Sequence, residues 1–354
     1  MTGASTGIRF PAARHVLEAA IADRAFPAAV IEVGNAGQPL WRQAFGRLTF
    51  APDAAPASED TIFDLASLTK VISTTPLVMQ QFERGVLALD DPVSGHLAEW
   101  RGEDRAGVTL RDLLAHCSGL PAWRAYFTEL DGWEMYERAI CAEPLEYAPR
   151  ARSIYSDLDF ILLGFIVHGR VPLTERFAMM LSQMGIVEEI QFNPPALWRA
   201  RTAPTEIDPW RGRLLVGEVQ DENAAALGGV AGHAGLFGTA SAVGTFARTV
   251  LRAARGDTTV PAPFSPNLLA EFVTKTSVPG SSRALGWDTM LPTSSCGTRM
   301  SPRAFGHVGF TGTSLWIDPE RDRYFVLLTN RACSGGTLEQ MRAVRRAFHD
   351  ALEV

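Results

Sequence analysis

Ser67 and Lys70, three positions apart in FDLASLTKVISTTPLVMQQF (residues 63–82), could act together as a nucleophile and its base. Lysine is scarce in this chain: Lys70 and Lys275 are the two lysines among 33 basic residues, and the others are arginine. Arginine stays protonated at every relevant pH, whereas a buried lysine amine can lose its proton. A base at residue 70 would therefore require lysine, and the sequence predicts proton transfer between these two side chains.

The residues that follow Ser67 predict a helix. Apolar side chains recur at helical spacing, at positions 68, 71, 72, 78, 79 and 82. This spacing places Ser67 at the first turn and Lys70 one turn further along the same side. The unpaired N–H groups of a helix N-terminus can stabilise an oxyanion that forms beside Ser67. Pro76 conflicts with the pattern, because a proline inside a helix costs about 3 kcal/mol or forces a kink.

Further motifs follow in an order that resembles one enzyme family. They are LLAHCSGLP (113–121), YSDLDFILLG (155–164), LGGVAGHAGLFGTAS (227–241) and HVGFTGTSLWIDP (307–319). Together with the S-x-x-K motif they extend over most of the chain. On these motifs the sequence is identified as a member of the penicillin-recognising serine hydrolases, which include class C β-lactamases, DD-peptidases and family VIII-type esterases.

The resemblance implies a role for each matching residue. Ser67 would be the acylated nucleophile, Lys70 would take its proton or hold the hydrogen-bond network, and Tyr155 would be the partner base and later proton donor. The other implied site groups are the N–H groups of Ser67 and Phe310 as an oxyanion hole, and Asp157, His307, Gly309 and His233 as substrate-binding residues. The side chains of Lys70 and Tyr155 normally titrate at about 10, so this chemistry predicts that burial and mutual charge lower both pKa values. Glycine at 309 would let a substrate backbone approach the strand closely.

Three positions depart from the family pattern. Asp157 stands where asparagine is common, and its carboxylate could repel an anionic substrate, pair with Lys70, or serve only as a helix N-cap. His307 replaces the lysine of true β-lactamases, and because histidine is mostly neutral at pH 7, the positive charge would be missing there. Both changes favour esterase or peptidase activity over efficient β-lactam hydrolysis. Gln220 stands where a histidine is common at the rim of the pocket.

Strand patterns occur at both ends of the chain and helical patterns in the middle. The predicted strands are 28–34 and 39–46, which form a hairpin, and 284–290, 305–318 and 323–330. The predicted helices include 9–25, 67–82, 159–169 behind the capping residues Ser156 and Asp157, and 337–352, with a capping box at Thr109 and Asp112. We therefore expect an α+β fold of the β-lactamase/transpeptidase type, with an antiparallel sheet flanked by N- and C-terminal helices. Residues 1–70 and 282–354 would form this sheet domain, and residues 71–281 an inserted, mostly helical domain.

The composition is against several classes of protein. The chain of 354 residues has a net charge of −6 and no basic stripe, so a nucleic-acid partner is not expected. Its longest apolar run, 160–167, is too short for a membrane span of roughly 20 residues. No secretory signal is recognised at the N-terminus, which predicts a cytoplasmic protein. The four scattered cysteines lack CxxC spacing, which predicts free thiols and no metal site.

Some residues allow two interpretations. GASTG, residues 3–7, matches the G-x-S-x-G pattern of α/β-hydrolases, but no strand precedes it. His233 could line the pocket or be a hydrogen-bonded core histidine. Trp123, Tyr126 and Trp133 could cover the pocket or pack in a helical core.

The sequence thus predicts a serine hydrolase that cleaves an ester or amide through an acyl-enzyme on Ser67, as an esterase, peptidase or weak β-lactamase. No cofactor or metal is expected, and the partner would be a small-molecule ester, amide or peptide. The patterns do not determine an oligomeric state. The alternative is a non-catalytic receptor of the same fold that binds muropeptides or β-lactams without turnover.

Overall fold

The structure, a computed structural model, describes residues 10–352 and combines α-helices with antiparallel sheets. The α-helices are α1 (Pro11–Ala22), α2 (Thr75–Glu83), α3 (Leu110–Leu114), α4 (Trp133–Ala142), α5 (Asp157–His168), α6 (Leu173–Met184), α7 (Glu222–Ala226), α8 (Ala240–Ala254), α9 (Pro266–Phe272) and α10 (Leu338–Ala351). The strands are β1 (Ala28–Gly34), β2 (Pro39–Gly46), β3 (Phe63–Asp64), β4 (Ile190–Phe192), β5 (Ile207–Asp208), β6 (Arg213–Leu214), β7 (Leu236–Gly238), β8 (Asp288–Thr289), β9 (Phe305–Val308), β10 (Ser314–Asp318) and β11 (Arg323–Thr329). Among the described helices, none has the length and apolar character needed to cross a bilayer.

The main sheet joins strands from the two ends of the chain. Its order is β2-β1-β11-β10-β9-β8, and neighbouring strands are antiparallel. The register pairs Ala29 with Thr329 and Gly34 with Tyr324, so the N-terminal hairpin lies directly beside the last strand. Helices α1 and α10 pack on one face and α8 on the other. The predicted α+β fold, with an antiparallel sheet flanked by terminal helices, is confirmed.

Both faces of the main sheet are buried. Ala29, Ile31 and Val33 of β1 belong to the apolar core shared with α1 and α10, while Ala28 and Val30 belong to the larger core on the other side. This alternation follows from the period of two in a strand. Helix α8 packs on the sheet although the predicted boundaries assign it to the inserted domain. The division at residues 70/71 and 281/282 stays a prediction.

Two of the predicted strands differ from the observed ones. The segment 305–318 forms two strands, β9 and β10, separated by residues 309–313, which we call the 309–313 loop. The loop closes on itself, because Gly309 N–H donates to Thr313 O at 2.8 Å and Gly312 adopts φ +115°. A positive φ of this kind interrupts a strand, and a period of two in the side chains does not reveal it. The strand expected at 284–290 is reduced to β8.

The helix after Ser67 accommodates its proline through a wider turn. A π-helical turn, Lys70–Thr74, precedes α2, and Thr75 N–H donates to the carbonyl of Lys70, five residues back. Pro76 has no N–H, and in a regular helix its ring would clash with the carbonyl four residues before it. The wider turn relieves this clash and takes the place of the expected kink.

Helix α5 packs against the 231–233 backbone with no side chain between them. A Cβ on Gly164 would lie 2.8 Å from Gly232 N and 2.9 Å from its Cα. The carbonyl of Gly232 also accepts the Thr74 hydroxyl at 2.6 Å. This contact fixes the distance between α5, the helix after Ser67 and the 231–233 segment, which together surround Lys70.

Gly164→Ala should therefore destabilise the protein. The added methyl group would force the two backbones apart, and overpacking of this kind costs about 1–3 kcal/mol. Urea unfolding followed by circular dichroism measures the change in the free energy of unfolding. Gly95→Ala is the matched control, since its Cβ would meet nothing closer than Pro92 Cγ at 3.8 Å. Equal stability of the two variants would contradict the prediction.

Candidate active site

One cavity, of about 780 Å³, brings together residues from three distant motifs. Its lining includes Ser67, Tyr155, Asp157, His307, Gly309 and Phe310, all of them predicted site residues. Lys70 and His233 lie behind its wall, since their side chains are 0% and 1% exposed. The volume falls in the range of sites for small molecules.

Ser67 lies on a strained turn between β3 and the helix that carries Lys70. Ala66, directly before it, has φ +48°, a left-handed conformation that costs a non-glycine residue about 1–2 kcal/mol. Asp64 stabilises the turn, because Oδ1 accepts the Ala66 N–H at 2.8 Å and Oδ2 accepts the Gln220 N–H at 2.7 Å. Burial raises the pKa of Asp64 to about 6, although both hydrogen bonds oppose this. The turn fixes Ser67 at the start of the helix.

Lys70 directs its ammonium group at three acceptors. Nζ lies 3.0 Å from Ser67 Oγ, 2.7 Å from Asp157 Oδ1 and 3.1 Å from the carbonyl oxygen of His233. An ammonium has three protons, and each has an acceptor here. Burial lowers the pKa of Lys70, but the negative charge of Asp157, its hydrogen bond to Nζ and the contact with Tyr155 outweigh burial, and the pKa is raised. The prediction that the pKa of Lys70 is lowered is therefore wrong, and Lys70 is an ammonium at rest.

Tyr155 provides the other side-chain contact of Ser67. Its hydroxyl donates to Ser67 Oγ over 2.8 Å. Lys70 Nζ and the guanidinium carbon of Arg283 each lie 4.8 Å from the centroid of the Tyr155 ring. Burial raises the pKa of Tyr155 and the charge of Asp157 adds to this, while Lys70 lowers it by less. The prediction that the pKa of Tyr155 is lowered is also wrong, so the resting site holds a protonated phenol.

Asp157 is the ion-pair partner of Lys70, which is one of the roles that the sequence left open. The N-cap of α5 is Ser156, whose Oγ accepts the Asp159 N–H at 3.4 Å. Asp157 is the first residue of the helix, so the N-cap alternative is wrong. Because its carboxylate faces the cavity as well as Lys70, it cancels the lysine charge that an asparagine would leave unpaired.

Ser67 and Phe310, the two predicted oxyanion-hole residues, both line the cavity. In the part of the chain that the structure describes, neither N–H donates to a backbone carbonyl, as an oxyanion hole requires. A Cβ on Gly309 would lie 2.1 Å from Thr313 Oγ1 and 2.8 Å from Leu65 O. Glycine is therefore required at 309 because Thr313 and the Leu65 carbonyl lie close to its Cα. The sequence alone suggests a different reason for this glycine, the approach of a substrate backbone.

Arg283 supplies a positive charge that sequence reasoning missed. His307 Nδ1 donates to Val308 O at 2.9 Å, so Nε2 accepts a hydrogen bond from Arg283 Nη1 at 3.3 Å. Burial, with the charges of Arg283 and Lys70, holds the pKa of His307 well below its usual range. His307 is neutral, as expected, but the expected lack of positive charge is wrong, because Arg283 lines the same cavity. No motif marks Arg283, which lies in an irregular segment 24 residues before His307.

His233 is a buried histidine that supports the cavity wall. Its Nε2 lies 2.8 Å from Asp221 Oδ1, and its backbone carbonyl accepts a proton of Lys70. Asp221 lines the cavity and the His233 ring does not. A substrate-binding role for His233 stays a prediction, and this placement supports an indirect role through Asp221.

The three aromatic residues with open roles separate in the structure. Trp123 lines the cavity. The Tyr126 hydroxyl donates to Glu143 at 2.5 Å, and the Trp133 ring packs on Phe165 with centroids 5.0 Å apart. Trp123 alone of the three therefore covers the pocket.

The other motifs add no chemistry to the described site. The G-x-S-x-G pattern of residues 3–7 lies outside the described residues. Between residues 10 and 352, no group of three or more His, Cys, Asp or Glu side chains is placed to hold a metal ion. The four cysteines are unpaired thiols, as predicted.

Known proteins share both the sequence pattern and the fold of this chain. A family model described as beta-lactamase matches residues 13–349. An Escherichia coli (strain K12) protein with the provisional name D-alanyl-D-alanine carboxypeptidase is 30% identical over 352 residues, covering 87% of this chain and 79% of the relative. A class C beta-lactamase structure matches with a TM-score of 0.79 at 17% identity, covering 100% of this chain and 99% of the other. The structure of EstCE1, a hydrolase with promiscuous acyltransferase activity, matches with a TM-score of 0.74 at 21% identity, covering 96% and 98%. The chain therefore belongs to the β-lactamase family of serine hydrolases.

Proposed function

We propose that this protein hydrolyses an ester or amide through an acyl-enzyme on Ser67. The observation that carries the proposal is the position of Ser67 Oγ, 3.0 Å from Lys70 Nζ and 2.8 Å from Tyr155 Oη at the wall of the cavity. A serine hydroxyl attacks a carbonyl efficiently only when a neighbouring base takes its proton. Tyr155 and Lys70 are the groups in reach of that proton.

Once the Tyr155–Lys70 pair has lost one proton to solvent, acylation would form a bond between Ser67 Oγ and the substrate carbonyl carbon, while the serine proton passes to this pair. The carbonyl oxygen becomes an oxyanion that the N–H groups of Ser67 and Phe310 stabilise. When the carbonyl re-forms, the bond to the leaving group breaks and Tyr155 returns a proton to that group. Water then attacks the acyl-enzyme in the same way and releases the acid and free Ser67.

A second candidate activity, cleavage of a peptide beside its terminal carboxylate, is favoured by Arg283. A guanidinium suits a free carboxylate, with which it forms paired, charge-assisted hydrogen bonds. The Escherichia coli relative has the provisional name D-alanyl-D-alanine carboxypeptidase, which describes cleavage of a peptide beside its terminal carboxylate. We therefore place peptides that end in a D-amino acid beside simple esters as substrates to be compared.

A non-catalytic receptor for muropeptides or β-lactams is the alternative from a different class. Such a receptor would form either no adduct or a single stable adduct, and product would not exceed one equivalent of protein. The contact of Ser67 with both candidate bases supports an enzyme, because a receptor has no need of a group that returns a proton to a leaving group.

Ser67→Ala should abolish turnover. Because Ser67 Oγ carries the acyl group, its loss should lower kcat on the order of 10⁴-fold or more. Nitrophenyl esters and acyl-D-Ala-D-Ala peptides serve as substrates, and intact-mass analysis with peptide mapping locates the adduct of a phosphonate probe. Ser94→Ala, at an exposed serine, should retain wild-type rates. An adduct on another residue, or turnover that survives Ser67→Ala, would refute the assignment; a wild-type adduct without turnover would favour the receptor.

Asp157→Asn should shift the pH dependence of kcat/KM to lower pH. Both Tyr155 and Lys70 are protonated at rest, so one proton must leave this pair before Ser67 can be activated, and activity should rise toward alkaline pH. The charge of Asp157 raises both pKa values. Its removal should lower them and move the rising limb down by about 1 pH unit.

Asp157→Ala is the control for this experiment. This substitution removes the same charge and also the oxygen that accepts a Lys70 proton. The rising limb of its pH profile should therefore move in the same direction, with a lower maximal rate. A limb that stays in place, or moves to higher pH, in Asp157→Asn would show that Asp157 does not set the protonation of the pair.

Arg283→Met should separate the two substrate classes. Loss of a charge-assisted hydrogen bond of about 1.5–3 kcal/mol should lower kcat/KM for a peptide carboxylate about 10–100-fold. The corresponding peptide amide and a neutral ester should lose several-fold less. Arg138→Met changes an exposed arginine on α4 and is the matched control. Equal losses for the carboxylate and the amide would rule out carboxylate recognition by Arg283.

A further inference from the structure

Arg345, on α10, holds the peptide group that contains the Phe310 N–H. Its Nη2 donates to the carbonyl oxygen of Gly309 at 2.8 Å and to that of Thr313 at 2.9 Å. The Gly309 carbonyl and the Phe310 N–H belong to one planar peptide group, in which they point in opposite directions. A donor that fixes this carbonyl therefore also fixes the direction of the N–H.

Arg331 holds the next peptide group of the 309–313 loop. Its Nε and Nη2 donate to the Phe310 carbonyl at 3.0 Å and 2.6 Å. Its guanidinium carbon also lies 4.6 Å from the centroid of the Phe310 ring. The two peptide groups on either side of Phe310 are thus both held by arginines.

Two threonine hydroxyls attach the same loop to the segment before Ser67. Thr311 Oγ1 donates to the carbonyl of Asp64 at 2.8 Å, and Thr313 Oγ1 donates to that of Leu65 at 3.0 Å. These bonds already fix the position of the loop beside Ser67. The two hydrogen bonds of Arg345 are therefore additional to an attachment that the threonines provide.

The positive charge of Arg345 indicates a role beyond attachment of the loop. The side chain is 5% exposed and Nε has no acceptor among the described residues. Between residues 10 and 352 no carboxylate forms a salt bridge with it, although burial of an uncompensated charge is costly. Burial and the charge of Arg331 lower the pKa of Arg345 to about 9, which leaves it protonated at neutral pH. A neutral donor could bind the two carbonyls, whereas a cation also provides positive potential beside the Phe310 N–H.

We infer that Arg345 is a positioning residue for the oxyanion hole, which aims the Phe310 N–H at the developing oxyanion and polarises the Gly309–Phe310 peptide group. A cation that donates to a carbonyl withdraws electron density through the amide, and the N–H of that amide becomes a stronger donor. Arg345 also lines the cavity. Because Nη2 already donates to the Gly309 and Thr313 carbonyls, Arg345 would act on the transition state through the Phe310 peptide group. The inference rests on the proposed acyl-enzyme function.

The test compares Arg345→Met, Arg345→Lys and Arg345→Gln with the wild-type enzyme on a neutral nitrophenyl acetate. Because the interaction strengthens only as the oxyanion forms, Arg345→Met should lower kcat on the order of 10²-fold and change KM by less than about threefold. Arg345→Lys keeps the charge and a donor, and should recover about tenfold of the lost kcat. Arg345→Gln keeps a donor without charge and should stay close to Arg345→Met. Arg342→Met, an exposed arginine on the same helix, is the matched control and should match the wild type.

Three results would overturn the inference. The first is a folded Arg345→Met enzyme with wild-type kcat. The second is a rate that Arg345→Gln restores as well as Arg345→Lys does, which would indicate a purely structural hydrogen bond. The third is a loss confined to KM and to substrates with a carboxylate, which would indicate direct contact of Arg345 with substrate.

Folding is checked by the thermal midpoint of each variant. If Arg345→Met does not fold, Arg345→Lys carries the test, with an expected loss of about tenfold in kcat at unchanged KM; wild-type kcat in this variant would overturn the inference. The second-order rate of Ser67 phosphonylation gives an independent measure, because the adduct places an oxygen at the oxyanion position. A wild-type protein that gives neither adduct nor turnover would refute the proposed function, a result distinguishable from failure of the Arg345 variants alone.

Discussion

The site depends on the burial of one ammonium group with an acceptor for each of its protons. Lys70 Nζ contacts Ser67, Asp157 and the His233 carbonyl, which come from three separate segments. Because burial of a charge is costly unless it is paired, these segments must keep their positions for Lys70 to remain inside. The close packing of Gly164 against the 231–233 backbone follows from the same requirement. The protonated resting state that results differs from the free base that the lysine suggested at first.

In the proposed mechanism, the 309–313 loop plays the corresponding part for the substrate carbonyl. It carries the Phe310 N–H, and threonine hydroxyls attach it to the backbone that precedes Ser67. Arginines hold the carbonyl groups on both sides of that N–H. Electrostatic stabilisation is effective when the donors are fixed before charge develops, because no reorganisation is then needed during the reaction. Lys70 thus holds the Ser67 side chain, and this loop holds the backbone that precedes it.

Short motifs made much of this site predictable. Ser67, Tyr155 and His307 lie in segments whose order and residue types indicate a known kind of chemistry, and the hairpin before them follows from alternation and turn residues. The places of Arg283 and Arg345 beside the cavity, on which their proposed roles rest, could not be predicted, because they arise from contacts made by an irregular segment and a distant helix. The direction of the pKa shifts also depends on burial and on charges that meet only in the folded chain.

The order of the strands has a consequence for the synthesis of the protein. β11 lies between β1 and β10, so the N-terminal hairpin finds its partner only after about 290 further residues have been added to the chain. Ser67 leaves the ribosome long before Phe310 and Arg345 do. In the proposed mechanism, the nascent chain therefore carries the nucleophile before the oxyanion hole can form, and acylation of Ser67 has to wait until the segment with Phe310 has folded beside it.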